Sequence, residues 1–269
     1  MLSFDSVDVH TPRSLAEALA LKAERPDARF IHGGTDVMVE LNFRHSRPPA
    51  LVNLAELDEL RGWSGDGDGL RLGAGLTYTE AMSSPLAERL PALAEASRTV
   101  GSPQIRNRGT IGGNLGTASP AGDALPPLLV ERARVELASV RGVRILPLEE
   151  FLLGVKRTAL APDELVTAVR LTPSGGPQTF MKVGPRNAMV IAICSLAVVV
   201  DDEAGEVRAA FGSAAETAMR VTVPLDEAGA LPERVATAAS PIDDVRATAA
   251  YRRHALRVLA QRALARCLR

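Results

Sequence analysis

The stretch "IRNRGTIGGNLGTASPAGD", residues 105–123, contains five glycines and almost no bulky side chains, although the rest of the chain is rich in Leu, Val and Ala. Glycine permits turns that other residues resist, and it also removes the Cβ atom that keeps a ligand away from the backbone. The stretch therefore predicts either a series of tight turns or a surface on which a large ligand lies against bare backbone. Other features of the sequence distinguish the two.

Length and composition predict a globular protein. With 269 residues and 46% hydrophobic content, the chain can bury a substantial core as one large domain or as two to three compact subdomains. The net charge is −1 and charges of both signs are interspersed, which argues against a nucleic-acid partner. The N-terminus has no basic region followed by an apolar segment, and the longest apolar run is well short of the roughly 20 residues that span a bilayer. We expect a cytoplasmic protein with no membrane span.

The cysteine and histidine patterns do not predict a metal site. The chain has two cysteines, Cys194 and Cys267, and four histidines with no His-x-x-x-His spacing. Cys194 lies in the apolar run "VIAICSLAVVV" and is predicted to be a buried, inert thiol. An iron–sulfur cluster needs more cysteine ligands than these two, so this chain cannot hold one by itself.

The first part of the sequence alternates strand and helix. Apolar residues at helical spacing over residues 14–25 follow Ser14, which can cap the first turn. "ARFIHGG" then reads as a strand that ends in paired glycines, and "TDVMVELNF" predicts a helix with Thr35 at the capping position. "ALVNLAEL" and "GLRLGAGLTY" are predicted strands around the turn-rich "SGDGDG", and helices are expected over about residues 79–82 and 91–100.

The second part predicts an α+β unit. "DALPPLLVERARVELAS" indicates a helix and a strand, and "PLEEFLLG" a short helix. Pro and Gly cluster in "TPSGGPQ", residues 172–178, which marks the expected domain boundary. Beyond it, "TFMKVG", "VIAICSLAVVV" and "EVRAAFGS" are predicted to form a three-stranded antiparallel sheet, followed by helices. The last segment is basic and amphipathic; it suits a membrane surface, or a helix that packs Leu256, Leu259 and Leu264 inward.

A glycine turn follows the predicted strand at "HGGTD", residues 32–36. Free backbone N–H groups and the positive end of the helix dipole converge where a strand leads into a helix, so such a turn holds a phosphate without a lysine. Gly33 and Gly34 leave room for a pyrophosphate to approach the backbone. Ordinary turn chemistry explains the same letters.

A second turn of the same form, "TIGGN", residues 110–114, lies about 75 residues further on. Two such turns suit a diphosphate held from both sides. The chain has no Gly-Lys pair, which excludes a Walker-type loop. "GAGLTY" has Tyr78 in place of the third glycine of a dinucleotide fingerprint, which disfavours an ordinary Rossmann site.

These motifs together resemble one family. "GGTD" followed by "GSPQIRNRGTIGGNLGTASPAGD" is similar to the FAD-binding subunit of the molybdenum hydroxylases, the group of xanthine dehydrogenase and carbon monoxide dehydrogenase. "FLLGVKRTALAPDELVTAV", "FMKVGPRNAMVIAICSLAVVV", "FGSAAETAMR" and "DDVRATAAYRR" resemble the family in the same order, so the likeness covers nearly the whole chain. It implies an α+β fold: a two-part FAD-binding domain of the vanillyl-alcohol oxidase or molybdopterin dehydrogenase type over residues 1–172, with subdomains at about 1–57 and 58–172, and an α+β C-terminal domain over residues 178–269.

The resemblance also implies a set of cofactor-binding residues. Two groups would wrap the pyrophosphate: Ile31, His32, Gly33, Gly34, Thr35 and Asp36, and Thr110, Ile111, Gly112, Gly113 and Asn114. Four would line the flavin's approach: Val100, Gly101, Ile105 and Gly109. The remaining predicted contacts are Gly116, Thr117, Ser119, Gly122, Asp123, Val166 and Lys182.

Alternatives stay open at three of these positions. Asp123 suits a helix cap before "ALPPLLV" as well as a cofactor contact, and Lys182 suits a solvated lysine on a strand. A histidine near a flavin, His32, raises the question of covalent attachment; we favour noncovalent FAD, with His32 partly buried beside it.

The function that the resemblance implies is electron transfer. In this family a large subunit carries the molybdenum cofactor, a small subunit carries [2Fe–2S] clusters, and FAD passes electrons to a final acceptor such as NAD or another carrier. This chain would then be a cytoplasmic oxidoreductase subunit with no catalytic acid or base of its own, in a dimer of heterotrimers. The alternatives are a free-standing flavin-dependent oxidoreductase of the same fold and an assembly subunit that has lost its flavin.

Overall fold

The computed structural model describes residues 7–43 and 47–269. The first six residues of the N-terminal segment considered above, and His45, lie outside this part of the chain.

A three-stranded parallel sheet forms the first part of the fold. Its elements are β1 (Asp8–His10), α1 (Leu15–Glu24), β2 (Arg29–Ile31), α2 (Val37–Asn42) and β3 (Ala50–Asn53). β3 lies in the middle and pairs in parallel with both neighbours. α1 begins as predicted, because the Ser14 hydroxyl accepts the Glu17 N–H. The prediction for α2 was wrong in one detail: its capping position is Asp36 rather than Thr35, and no side chain caps it.

A five-stranded antiparallel sheet with flanking helices forms the second part. Along the chain its elements are β4 (Trp63–Asp66), β5 (Gly69–Gly73), α3 (Tyr78–Ala81), α4 (Leu86–Arg89), α5 (Pro91–Thr99), α6 (Pro103–Arg106), α7 (Ile111–Thr117), α8 (Leu125–Val130), β6 (Arg134–Ser139), β7 (Gly142–Pro147), α9 (Leu148–Phe151), β8 (Leu152–Gly154), β9 (Arg157–Thr158) and β10 (Leu165–Leu171). The strand order is β4-β5-β10-β6-β7, while β8 and β9 pair separately. β4 was not predicted. The letters "SGDGDG" combine the end of this strand with a tight turn in which Gly67 has a φ of +60°.

A four-stranded antiparallel sheet and two helices form the C-terminal part. They are β11 (Gln178–Val183), β12 (Cys194–Asp201), β13 (Glu206–Gly212), β14 (Met219–Pro224), α10 (Leu231–Ala238) and α11 (Ala249–Cys267). The three predicted strands are present and pair antiparallel, and β14 adds a fourth strand to the sheet. In α11, Leu256, Leu259 and Leu264 are buried as predicted, and each contributes about 1.5–3 kcal/mol of hydrophobic stabilisation.

The C-terminal sheet shares a hydrophobic core with the second part. Phe180, Ala197 and Ala210 pack into the same buried cluster as Leu128 and Leu129 of α8. α8 directly follows the glycine-rich stretch, so this packing holds the end of that stretch against the C-terminal sheet.

Candidate functional site

A cavity of about 280 Å³ lies where the first sheet meets the second part of the fold. It brings together much of the predicted site. The predicted residues that line it are Ile31, His32, Gly33, Gly34, Thr35, Asp36, Gly109, Thr110, Gly112, Gly113, Asn114, Gly116, Thr117 and Val166. The two glycine turns thus face one cavity, although they are far apart in sequence.

The first turn supplies unused hydrogen-bond donors. Within the described part of the chain, no acceptor takes a hydrogen bond from the backbone N–H of Gly33, Gly34, Thr35 or Asp36. Gly34 has a φ of +76°, a conformation that glycine adopts without strain. Successive backbone N–H groups in such a turn form a concave site for an anion.

The second turn differs from the first, because its backbone donors are already used. The N–H of Ile111 donates to the Leu76 carbonyl at 2.9 Å, and that of Gly112 to the Ala74 carbonyl at 2.8 Å. The N–H of Gly113 donates to the Thr110 hydroxyl at 3.0 Å. The second turn therefore contributes a wall of small residues to the cavity rather than a second set of free amides.

Contacts between protein segments require several of these glycines. A Cβ on Gly33 would lie 1.9 Å from the Arg108 carbonyl oxygen, and one on Gly112 would lie 2.5 Å from the Ala74 Cβ. A Cβ on Gly116 would meet no atom within 4 Å. Gly33 and Gly112 thus allow the segments to pack closely, whereas Gly116 leaves open space beside the cavity.

Two buried polar atoms of the cavity wall have no hydrogen-bond partner among the residues that the structure describes. They are Asn114 Oδ1 and His32 Nε2. Burial lowers the pKa of His32 below its ordinary 6.5, and the positive charges of Arg108 and Arg61 lower it further. His32 is therefore the neutral imidazole at neutral pH, and partly buried as predicted.

Several residues that line the cavity were not singled out from the sequence as site residues. Most of them are apolar, and they come from loops and from the ends of strands and helices: Arg29, Phe30, Val37, Leu54, Leu60, Ala74, Tyr78, Leu160, Glu164 and Leu165. Tyr78 had a signal, since it interrupts the glycine pattern of "GAGLTY". The others had none, because single apolar residues far apart in sequence carry no motif.

The remaining predicted site residues do not line this cavity. They are Val100, Gly101, Ile105, Ile111, Ser119, Gly122, Asp123 and Lys182. Ile111 is fully buried in the core, so its side chain does not face a ligand in the cavity. The backbone φ of Gly101 is +43°, and a Cβ at this position would lie 2.8 Å from the Cβ of Ile105.

Lys182 and Asp123 form a buried ion pair outside the cavity. Lys182 Nζ donates to Asp123 Oδ2 at 2.6 Å and to the Thr99 carbonyl at 3.3 Å, and the two side chains are 6% and 8% exposed. Lys182 is thus not a solvated lysine. Asp123 does not cap α8 either, since the capping position is Ala124. Burial raises the Asp123 pKa above its ordinary 3.8, although Lys182 opposes the shift.

Among the residues that the structure describes, no helix is long and apolar enough to cross a membrane, and no His, Cys, Asp and Glu side chains cluster as metal ligands would. Cys194 and Cys267 are both free and buried, and burial raises their pKa values to about 12 and about 11.

The cavity has features that suit part of a dinucleotide cofactor such as FAD. The free amides of the first turn suit phosphate oxygens, the unpartnered Asn114 oxygen suits a ligand hydroxyl, and Gly116 leaves room beside the wall. The volume is slightly below the roughly 300–1,000 Å³ of typical ligand pockets, so the cavity has room for only part of so large a molecule. The residues present therefore fit a part of the cofactor.

Comparison with known proteins agrees with this description. Residues 3–173 match the family described as the FAD binding domain in molybdopterin dehydrogenase. The xanthine dehydrogenase FAD-binding subunit of Escherichia coli O157:H7 is 32% identical over 279 residues, which cover 97% of this chain and 96% of the relative. The carbon monoxide dehydrogenase medium chain of Afipia carboxidovorans is 33% identical over 281 residues, with 97% and 96% covered.

Solved structures show the same fold. A chain of carbon monoxide dehydrogenase from Hydrogenophaga pseudoflava superposes with a TM-score of 0.89 at 28% identity, over 97% of this chain and 96% of that one. Sequence, fold and cavity agree: the chain belongs to the family of FAD-binding medium subunits of the molybdenum hydroxylases, the oxidoreductases that include xanthine and carbon monoxide dehydrogenase.

Proposed function

We propose that this chain is the FAD-carrying electron-transfer subunit of a heteromeric molybdenum hydroxylase. It takes electrons from the [2Fe–2S] clusters of a small partner subunit and passes them to a terminal acceptor, such as NAD or another carrier. The molybdenum cofactor belongs to a large partner subunit. The observation that carries this proposal is that both turns line the same cavity: the first turn contributes free amides, and the second turn contributes small residues.

The residues that line the cavity would hold FAD by its polar groups. The backbone N–H groups of Gly33 to Asp36 have the donors for phosphate oxygens, and Asn114 Oδ1 has an unused acceptor for a hydroxyl. When bound, FAD supplies the redox chemistry, and the protein supplies position, burial and electrostatics. We assign no catalytic acid or base to this chain.

Predicted site residues outside the cavity keep a proposed role toward the rest of the cofactor. Val100, Gly101 and Ile105 lie in the segment that includes α6, and Asp123 pairs with Lys182 of β11. Lys182 also donates to the carbonyl of Thr99, the residue before Val100. We propose that the part of FAD that the cavity does not enclose extends toward them, and that the attachment is noncovalent.

The domain division, partners and location belong to the same proposal. We propose a FAD-binding domain over residues 1–172, with subdomains at about 1–57 and 58–172, and a C-terminal domain over residues 178–269. A heterotrimer that pairs into a dimer of heterotrimers is in keeping with the relatives named medium chains. Both cysteines are free thiols, which is typical of a reducing compartment and supports a cytoplasmic location.

The first test is the cofactor content of the purified full chain. Its absorption spectrum should show a flavin, and acid should release about one FAD per chain, as expected for a noncovalent cofactor. A chain that stays colourless after incubation with FAD would overturn the cofactor assignment. Flavin that stays with the acid precipitate would indicate covalent attachment, with His32 as the first residue to test.

The second test is the complex. Affinity purification of the tagged full chain from its source should recover a large molybdenum subunit and a small [2Fe–2S] subunit. Reduction of the isolated complex through its molybdenum centre should bleach the flavin absorption. A flavin-loaded chain that is isolated alone and turns over an organic substrate would favour the free-standing oxidoreductase instead.

A further inference from the structure

Tyr78 belongs to the cavity wall, and the residues that the structure describes do not use its hydroxyl. Its side chain lines the cavity and is only 5% exposed, yet its hydroxyl forms no hydrogen bond with any residue that the structure describes. Protein atoms do not fully enclose the hydroxyl. The phenol of this cavity-lining residue therefore keeps some contact with solvent and has no partner among the described residues.

The backbone around Tyr78 holds the ring in place. Tyr78 is the first residue of α3, which begins with a capping box between Thr77 and Glu80. The Tyr78 N–H donates to the Gly109 carbonyl at 3.2 Å. A Cβ on Gly109 would lie 3.1 Å from the ring, so the ring packs against the bare backbone at the start of the second turn.

The Tyr78 phenol keeps its proton at neutral pH and can therefore donate a hydrogen bond. Burial raises the pKa of Tyr78 far above its ordinary value, and the negative charges of Asp123 and Asp36 raise it further. Asp36 belongs to the first turn and Asp123 to the buried ion pair with Lys182. The phenol is thus within electrostatic range of both, and it keeps its proton.

A ligand that supplies an acceptor can take a hydrogen bond from this hydroxyl. FAD carries phosphate oxygens, ribityl hydroxyls and ring acceptors, whereas no acceptor among the described residues takes a hydrogen bond from the Tyr78 hydroxyl.

We propose that Tyr78 is a further positioning residue for the cofactor, and that its hydroxyl donates a hydrogen bond to an acceptor atom of bound FAD. The inference rests on the proposed function, since it requires that FAD occupies this cavity. Tyr78 then links α3 to the ligand, in addition to the two glycine turns.

The test compares two matched variants of the full chain, because the chain has only two tyrosines. Tyr78→Phe removes the hydroxyl from the cavity. Tyr251→Phe removes the same atom from the exposed first turn of α11 and serves as the control. FAD is stripped from each protein, and its Kd is measured by titration of flavin fluorescence.

We expect Y78F to weaken FAD binding by about tenfold, the effect of losing one hydrogen bond of ordinary to high strength, while Y251F binds as the wild type does. The stripped Y78F protein should melt at or above the wild-type temperature, since it loses no protein hydrogen bond. This combination separates positioning from a structural role. A Kd for Y78F within about twofold of the wild type would overturn the proposal.

A second measurement uses the wild-type fold and does not depend on the stability of Y78F. The chain is labelled with 3-fluorotyrosine, and its two fluorine signals are assigned with Y251F. FAD should shift the Tyr78 signal and leave the Tyr251 signal in place. If FAD binds and neither signal moves, Tyr78 does not contact it; if the wild type binds no FAD at all, the proposed function itself fails.

Discussion

The hydroxyl of Thr117 donates a hydrogen bond of 2.8 Å to the Asp36 carboxylate, although 81 residues separate the two along the chain. Asp36 ends the first glycine turn, and Thr117 ends α7, which the second turn begins. The bond therefore joins the first turn to the end of α7, the helix that begins at the second turn. Thr117 thus holds the first turn in place through Asp36.

We predict that Thr117→Val weakens FAD binding by about fivefold. The change removes the donor to Asp36 and so releases the first turn from α7. We expect this to cost about 1 kcal/mol of the free energy of FAD binding. Flavin fluorescence titration measures it, with Thr222→Val on the exposed side of β14 as the control. Equal Kd values for both variants and the wild type would show that this bond does not organise the site.

The sequence predicts the two turns but does not show which of them has backbone N–H groups free to bind a ligand. Two glycine pairs were visible in "HGGTD" and "TIGGN". Only the structure shows that Gly112 is small to fit Ala74, and that the amides around it already have partners. Spacing along a chain carries no information on such contacts, because the partners lie in other segments.

The same limit explains the elements that sequence reasoning missed. β4 lies in glycine-rich letters whose strand character comes from pairing with β5, and β14 pairs with β13 across the end of the C-terminal sheet. By contrast, α1 and α11 were predicted well, since their apolar faces and caps are local. In the sequence, Tyr78 stands out only because it occupies the position of the third glycine of a dinucleotide fingerprint. Its place in the cavity wall follows from the fold.

Two glycines of α7, Gly112 and Gly116, should respond in opposite ways to substitution. Gly112→Ala places a Cβ 2.5 Å from the Ala74 Cβ, so we expect a loss of about 1–3 kcal/mol in the free energy of unfolding. Gly116→Leu meets no atom at its Cβ and replaces a helical glycine, so the stripped protein should keep or gain stability. Its side chain should instead obstruct the cavity and weaken FAD binding by more than about tenfold.

Urea unfolding and flavin titration of both variants measure these effects. A stable Gly112→Ala protein would mean that the segments around Ala74 separate easily. A Gly116→Leu protein with wild-type FAD affinity would mean that the cofactor does not pass this part of the wall.

His32 should make the stability of the stripped protein depend on pH. Its folded-state pKa lies below the ordinary 6.5, so as the pH falls the unfolded chain takes up the proton first. The free energy of unfolding should therefore decrease as the pH falls below about 7, by less than the limit of about 1.4 kcal/mol per pH unit, since His32 is only partly buried.

Urea unfolding from about pH 5 to about pH 8 measures this slope. His32→Gln should flatten it, whereas His254→Gln, on the exposed side of α11, should not. A slope that survives His32→Gln unchanged would assign the pH dependence to other groups.

The buried pair of Lys182 and Asp123 should be far more sensitive to substitution than a surface pair. Lys182→Met leaves the Asp123 carboxyl buried without its cation, and breaking a buried pair in this way costs about 3–5 kcal/mol. Arg257→Met, which breaks the exposed pair with Glu233, should change the free energy of unfolding little. Asp123→Asn combined with Lys182→Met should recover part of the loss, because no buried charge then remains.

The pH dependence of Lys182→Met follows from the same burial. Burial already raises the Asp123 pKa against the opposing effect of Lys182, so removing Lys182 raises it further. The folded variant then keeps a proton that the unfolded chain releases above about pH 4. Its free energy of unfolding should therefore decrease as the pH rises toward the raised pKa, by up to about 1.4 kcal/mol per pH unit. Urea unfolding over this range gives the slope. If the free energy of unfolding changes with pH in the same way in the variant and the wild type, solvent reaches Asp123 once Lys182 is gone.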